Sequence, residues 1–424
     1  MMWCVRCPRR RAPCDGLNDG FGVYKSHSLW QVLPMTERKS VVPIPLEGVR
    51  VVDFTQALSG PYCTLLLADL GADVIKVERT GSGDDSRRWG PPFVGDTSAY
   101  FLSVNRNKRS IELDLKSEHD QKLAVDLIDS ADVVVENWRP GTADRLGLGQ
   151  EQMRTMNPGL VYCSISGFGD KSERPGYDQV VQGTSGWMSI TGTQSGGPTK
   201  SGIPIADIAS GMFASQAILA SLVRRAGTHK GCYIDLAMQD SLVSMLTYQA
   251  GAFFATGQSP RRNGNQHTTL APYGTFNTAN GQINISVGND RQWEHLCEAI
   301  GMPDLATDAR FASNGSRVVN VDELRGALES KLMSMETEEV LVAAGLAGVP
   351  AGAIRSLAEV LTDTDLRNRG MILTSRHPRF GELNYPGSPW HIDGVSSTAR
   401  MAPPDLGQHT EEVIEELRQL RIST

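Results

Sequence analysis

Val49-Arg50-Val51-Val52-Asp53-Phe54 (VRVVDF) is a near-continuous apolar run, and Ala72-Asp73-Val74-Ile75-Lys76-Val77-Glu78 (ADVIKVE) is a second one. Strands covered by helices on both faces read this way, because neither face meets water. Between the two runs, Gly60-Pro61 opens a helix-like stretch that reaches Leu70 and is closed by Gly71. Together they form a strand–helix–strand unit of about 30 residues. Outward from that unit the alternation continues. Residues 117–130 have helical periodicity, residues 131–136 (ADVVVE) read as a strand, and residues 159–166 (GLVYCSIS) as another. This order predicts an α/β fold with a mostly parallel sheet and helices on both faces.

A passage rich in Gly, Thr and Ser fills residues 183–202, and a long helix is expected from about Ile208 to Arg225. Past Gln239 the pattern changes. A helix with several Met and Ser residues leads to a loop over 257–272. An alternating hairpin then spans 273–287, with Asn280-Gly281 at its turn. Helices are expected over about 291–300 and 321–346, and a last one follows Gly407-Gln408-His409-Thr410. Thr410 is the expected N-cap of that helix, and Glu411 and Glu412 suit its dipole.

The chain has 424 residues, enough for two domains. Its net charge of −7 argues against general nucleic-acid binding. No unbroken apolar run approaches a membrane span, so no membrane partner is expected; the apolar-leaning residues 212–223 contain Ser215 and Gln216 and read as a buried helix. Cys4, Cys7 and Cys14 lie in the first segment; Cys63, Cys163, Cys232 and Cys297 are scattered. No partner pair stands at metal-ligand spacing, so no metal is expected, and the scattered four read as core residues of a reducing compartment. Arg6, Arg9, Arg10 and Arg11 precede the first acid, Asp15, and nothing periodic follows until about Val41. Residues 1–44 therefore read as a mitochondrial transit peptide, or otherwise as a disordered extension of a cytoplasmic protein.

Dinucleotide binding fails on the turn after the first strand. Thr55-Gln56-Ala57-Leu58-Ser59-Gly60 lacks the Gly-x-Gly-x-x-Gly that lets backbone close on a pyrophosphate. No Walker loop and no Gly-x-Ser-x-Gly elbow is present either. Asp207 stands in Pro204-Ile205-Ala206-Asp207-Ile208, just before the long helix. There it is expected to accept backbone N–H bonds and to feel the positive helix end, both of which favour the nucleophilic carboxylate. The alternative is an ordinary cap. Arg79, Arg87, Arg88, Arg106, Lys108, Arg109, Lys116 and Arg145 recur near strand ends, where phosphates want cations. His267 stands in a polar loop with Asn263, Gly264, Asn265 and Gln266.

Several motifs together resemble the class III CoA-transferases, the formyl-CoA transferase and carnitine CoA-transferase family. They are Pro45 to Phe54, Gly60-Pro61 through Glu78, Asn107-Lys108-Arg109-Ser110-Ile111 through Lys116, Val135-Glu136-Asn137, and Gly407-Gln408-His409-Thr410. The resemblance implies a Rossmann-like large domain, a smaller α+β domain and an interlocked, ring-like homodimer. The expected division is 45–240 for the first part of the large domain, 241–365 for linker and small domain, and 366–424 for the return to the large domain. It makes Asp207 the acyl-carrying aspartate. It places CoA contacts on Ala57, Ser59, Arg79, Leu113, Lys116, Asn137, Arg145 and Tyr177, and oxyanion donors near Gly264. The family's lysine near that tyrosine is replaced here by Pro175, and its glycine-rich loop becomes Gly264-Asn265-Gln266-His267.

Residues 83–95 and 100–108 resemble most the family members that pass CoA between succinyl-CoA and a dicarboxylic acid, and that subgroup is mitochondrial. The implied acceptors are glutarate, hydroxymethylglutarate or itaconate, with CoA thioesters as substrates and no resident cofactor. A diacid needs a holder for its second carboxylate, and Arg87 and Arg109 are the expected clamps. Two rivals remain. An α-methylacyl-CoA racemase of the same fold would carry a His where Gly176-Tyr177-Asp178 has tyrosine, and a silent CoA-binding protein would lack Asp207.

Overall fold

The computed structural model describes residues 44–423; the arginine-rich start and Cys4, Cys7 and Cys14 lie outside them. In chain order the elements that matter are β1 (Arg50–Asp53), α1 (Ser59–Asp69), β2 (Asp73–Arg79), α2 (Ala99–Val104), β3 (Lys108–Leu113), α3 (Glu118–Asp129), β4 (Val133–Glu136), α4 (Gln150–Met156), β5 (Val161–Ser166), α5 (Asp178–Thr184), α6 (Ile205–Thr228) and β6 (Cys232–Ala237). Then follow α7 (Met238–Ser244), α8 (Thr247–Thr256), β7 (Tyr273–Asn277), β8 (Gln282–Ser286), α9 (Asp290–Ala299), α10 (Val321–Leu332), α11 (Thr337–Leu346), β9 (Ala351–Ala353) and α12 (Thr410–Ser423).

The six-stranded sheet has the order β3-β2-β1-β4-β5-β6 with every pairing parallel, and Val51 stands opposite both Val74 and Val133. This is the strand order of the doubly wound dinucleotide-binding fold, whose order reverses beside β1. Alternate residues of each strand feed two separate cores. Val51, Val74, Val133 and Val161 meet Cys63 and Leu67 of α1 and Ala214 and Ile218 of α6. Val52, Ile75, Ile111 and Val134 meet Leu127 and Ile128 of α3 and Val413 and Leu417 of α12. The chain end thus returns to the first sheet. Thr410 does not cap α12: its hydroxyl accepts from the Glu112 N–H of β3 at 3.1 Å and donates to the Gly407 carbonyl.

A second sheet, β9-β8-β7, is antiparallel and has its own core with α9, α10 and α11, built on Phe276, Ile283, Trp293, Leu324 and Val340. The predicted hairpin is β7–β8. The helix expected over 321–346 is two helices, because Glu336 starts α11 with a reciprocal cap shared with Glu339. Strands β3 and β6 were not foreseen. The long helix starts at Ile205, nearly a turn early, and runs 24 residues; a stretch of 18 within it has a mean hydropathy of 1.4, long and apolar enough by composition to cross a membrane. Serines interrupt its apolar run in the sequence, which hides this. Those serines bond within the helix, Ser210 to the Ala206 carbonyl and Ser215 to the Met212 carbonyl. Its inner face packs on α1 and the sheet.

Candidate active site

A cavity of about 570 Å³ opens at the C-terminal ends of β1, β4 and β5, and it holds Asp207. It lies at the point where the strand order reverses, the usual ligand site of such sheets. Three devices build its walls. The Asn137 side chain, just past β4, accepts from the Gln56 N–H at 2.9 Å and donates to the Gln56 carbonyl at 2.8 Å. That clamps the loop after β1, in which Ala57 takes a φ of 66°, a costly conformation for a residue with a Cβ. The Ala57 N–H donates to Asp84. Beneath the loop, Lys76 pairs with Asp84 at 2.9 Å and Lys108 with Asp53 at 3.2 Å, all four fully buried. Burial pushes the Asp53 carboxyl up, but Lys108, Lys76 and hydrogen bonds from Thr55 and Thr64 outweigh it and hold it at about 2. The loop therefore rests on fixed ion pairs and needs no Gly-x-Gly.

The second device is glycine at two close approaches. A Cβ on Gly211 would lie 2.7 Å from the Ser59 carbonyl oxygen, so glycine lets α6 settle against α1. A Cβ on Gly167 would lie 2.6 Å from the Gly176 Cα, so the loop carrying Tyr177 and Asp178 sits directly on the end of β5.

The third is the cap of α6. Asp207 stands in the first turn of this helix, but it does not cap it. Asp178 does: its Oδ1 accepts from the Ala206 N–H at 2.8 Å and from the Asp207 N–H at 3.4 Å, and its Oδ2 accepts from Gln182 at 2.6 Å. The expectation that backbone bonds and the helix end stabilise the Asp207 carboxylate is therefore reversed. Burial first, and the Asp178 charge second, push the Asp207 carboxyl up to about 7. A carboxylate so poorly stabilised is a stronger nucleophile when ionised, and near neutral pH about half of it is.

Among the other expected residues, Ala57, Ser59, Asn137 and Tyr177 line the Asp207 cavity. Arg79 stands at its edge, donating to Gln56 at 3.3 Å and to Asp85 at 2.5 Å, and both of those line the cavity. Leu113 is buried in the sheet core at the end of β3, Lys116 is exposed, and Arg145 is exposed and bonded to Thr142; none of the three lines the cavity. Gly264 and His267 line a second cavity of about 560 Å³ with Gln266 and Arg325, and the His267 ring packs against both Tyr248 and Tyr273.

The expected clamps, Arg87 and Arg109, are both engaged with carboxylates of the chain itself. Arg87 is buried, forks onto both oxygens of Glu78 at 2.8 and 2.7 Å, and lies over the Phe101 ring. Arg109 binds Asp73, Glu412 and Glu416 and ties α12 to the sheet. Neither lines the cavity, and their donors are spent on structural carboxylates. The lining residues that sequence reasoning passed over are Trp89, Tyr100, Arg139, Arg174, Asp178 and Lys200. Trp89, Tyr100 and Asp178 stand in stretches already singled out; the three cations lie on irregular loops where no periodicity points inward. Among the described residues no group of three or more His, Cys, Asp or Glu could hold a metal ion.

The model of CoA-transferase family III matches residues 46–410. A mouse (Mus musculus) succinyl-CoA:glutarate CoA-transferase is 38% identical over 98% of this chain and 95% of its own length. A succinyl-CoA:mesaconate CoA-transferase of Haloarcula hispanica is 40% identical over 88% of this chain and 96% of its own. A crystal structure of a CAIB/BAIF family protein from Brucella suis superposes with a TM-score of 0.79 at 39% identity, covering 88% of this chain and 99% of that one. With the family's model spanning the sheet, the cavity and the second core, and with relatives aligned over nearly their whole length, this chain belongs to CoA-transferase family III.

Proposed function

We propose that this protein exchanges CoA between succinyl-CoA and a dicarboxylic acid, with Asp207 as the acyl carrier. The observation that supports this best is an Asp207 carboxylate that faces the switch-point cavity with no hydrogen-bond donor among the described residues. Asp207 attacks the thioester carbonyl, the C–S bond breaks, and CoA leaves as thiolate from a mixed anhydride. The thiolate then attacks the aspartyl carbonyl, succinate leaves, and an aspartyl-CoA thioester remains. The acceptor carboxylate runs the sequence in reverse. One thioester replaces another, so no nucleotide is consumed. Ala57, Ser59, Arg79, Asn137 and Tyr177 bind CoA at the cavity, with Leu113, Lys116 and Arg145 toward the outer strand ends. Backbone N–H groups near Gly264 are assigned to the oxyanion, each worth about 3 kcal/mol.

Glutarate is the preferred acceptor in this reading, supported by the likeness to the mouse succinyl-CoA:glutarate CoA-transferase; hydroxymethylglutarate, itaconate and mesaconate complete the panel to be assayed. A racemase needs a second base across the α-carbon. Among the described residues no histidine lines the cavity, and its Tyr177 is 68% exposed, which favours transfer.

The working unit is a homodimer of chains with a large domain over 45–240 and 366–424 and a small one over 241–365. Apolar side chains on α6 and α8 support this: Val223, Tyr248 and Phe254 are 76, 58 and 82% exposed in the single chain. The arginine-rich start supports a mitochondrial address.

Incubation with succinyl-CoA followed by peptide mass spectrometry tests the core of the proposal. A succinyl or CoA adduct is expected on the peptide carrying Asp207, and Asp207→Ala should lose transfer by about a thousandfold or more while CoA still binds. Retention of even a few per cent of the rate would overturn it.

A further inference from the structure

We infer that Asp178 is a positioning residue for acyl transfer: it takes the first free N–H groups of α6 and holds a second negative charge beside Asp207, so that acylating Asp207 relieves a repulsion built into the free enzyme. This rests on Asp207 being the acyl carrier.

The geometry carries the argument. A carboxylate in the first turn of a helix would ordinarily gain from the free N–H groups there. Here those of Ala206 and Asp207 are bonded to Asp178 Oδ1. Asp178 is itself held from behind, since Gln182 donates to its Oδ2 at 2.6 Å and accepts from the Ser201 N–H at 2.9 Å. Gly176, pressed on Gly167, fixes the backbone just before it. The second carboxylate is thus locked beside the first and cannot swing away.

Other groups near Asp207 do not cancel this charge. Tyr100 on α2 faces it and is neutral; burial, then the Asp207, Asp178 and Asp84 charges, push its hydroxyl well above the usual range. Ser59 of α1 and Met238 of α7 line the cavity without charge. Arg139, Arg174 and Lys200 also line it, and Asp178 is the charge that acts on Asp207.

The consequence follows from the charge balance of the reaction. In the reactive, ionised form of the free enzyme, Asp207 carries its negative charge beside Asp178. In the mixed anhydride the Asp207 charge has passed to the CoA thiolate, and in the aspartyl-CoA thioester it has left with succinate. Both acylated forms place a neutral carbonyl beside Asp178. Like charges in a buried site repel more than in water, so Asp178 lifts the free enzyme relative to its acylated states.

Asp178→Asn separates charge from capping, because an amide oxygen still accepts backbone N–H bonds. In this variant the acid limb of the kcat profile should move down by about one pH unit, and the fraction of enzyme acylated at equilibrium with succinyl-CoA and succinate should fall about tenfold. Asp178→Ser, another neutral cap, serves in its place if the asparagine variant does not fold, and Asp178→Glu should recover part of the wild-type midpoint. An adduct on Asp207 with unchanged pH midpoint and acylated fraction in the neutral variants overturns this inference alone. No adduct on wild-type Asp207 overturns the acyl-carrier reading and this one with it.

Discussion

Gly167 and Gly176 meet backbone to backbone: a methyl on either would lie within 2.6 Å of the other's Cα. One ends β5 and the other precedes Tyr177 and Asp178, so their contact sets how far the capping carboxylate stands from α6. Gly176→Ala should force the loop off the strand end at a cost of about 1–3 kcal/mol in stability. Because the cap moves with the loop, kcat should fall further than that stability loss suggests. Denaturant titration beside kinetics checks it; wild-type kcat in a destabilised protein would show that the loop position is not critical.

Asp207 makes a prediction about pH and stability. Its carboxyl is raised from 3.8 to about 7 by burial and by Asp178. A group raised on folding supports the fold fully below its unfolded value, and that support is lost as pH rises through about 7. Asp207→Asn is neutral at every pH. It should therefore melt higher than wild type at pH 8.5 and alike at pH 3. Its partial exposure and solvent screening hold the gain to about 2 kcal/mol, a few degrees in Tm. Equal melting temperatures at pH 8.5 would mean the carboxylate is better stabilised than its surroundings indicate.

The Arg87–Glu78 pair predicts a structural phenotype. Glu78 has a side chain only 1% exposed, and Arg87 covers both of its oxygens. Arg87→Met would leave that carboxylate with Ser110 and the Asp84 N–H alone, a loss of about 3–5 kcal/mol. Selectivity between diacids and monoacids should not change. Urea unfolding and paired KM values report the two effects separately.

Strands β1, β2, β4 and β5 were legible because each is largely buried on both faces and carries an apolar run; β3 was not, because Lys108, Arg109 and Ser110 are buried in it through their partners Asp53, Asp73 and Glu78. Strand β6 was not, because Tyr233 and Asp235 interrupt it and it lies at the sheet edge. Asp207 was legible by position and misread in its electrostatics: the residue that caps its helix is Asp178, 29 positions away in sequence. Arg87 and Arg109 show the same limit. Their carboxylate partners, Glu78, Asp73 and Glu416, come from elements that only the folded chain brings together. Sequence spacing shows that a cation is near a strand end, and not whether its charge is already satisfied.

With those two arginines committed, the second carboxylate of a diacid falls to the cations that line the cavity, Arg139, Arg174 and Lys200. Arg139 follows Asn137 on the loop that braces Gln56, on the side assigned to CoA. Lys200 is exposed and donates to the carbonyl of its neighbour Ser201. Arg174 stands two residues before Gly176, its guanidinium stacked on Phe168 at 3.9 Å, with no carboxylate partner among the described residues. Stacking orients the planar fork, and a fork matches a carboxylate better than an ammonium does. Arg174→Ala should raise the KM for free glutarate about tenfold, equivalent to about 1.4 kcal/mol. The KM for butyryl-CoA, which lacks the distal charge, should hardly change, and that for succinyl-CoA should rise with the diacid. Arg139→Ala should instead weaken every CoA thioester alike, as loss of a phosphate contact does. If Arg174→Ala treats glutarate and a monoacid acceptor the same, the arginine serves CoA, and Lys200→Ala becomes the variant in which to look for the split.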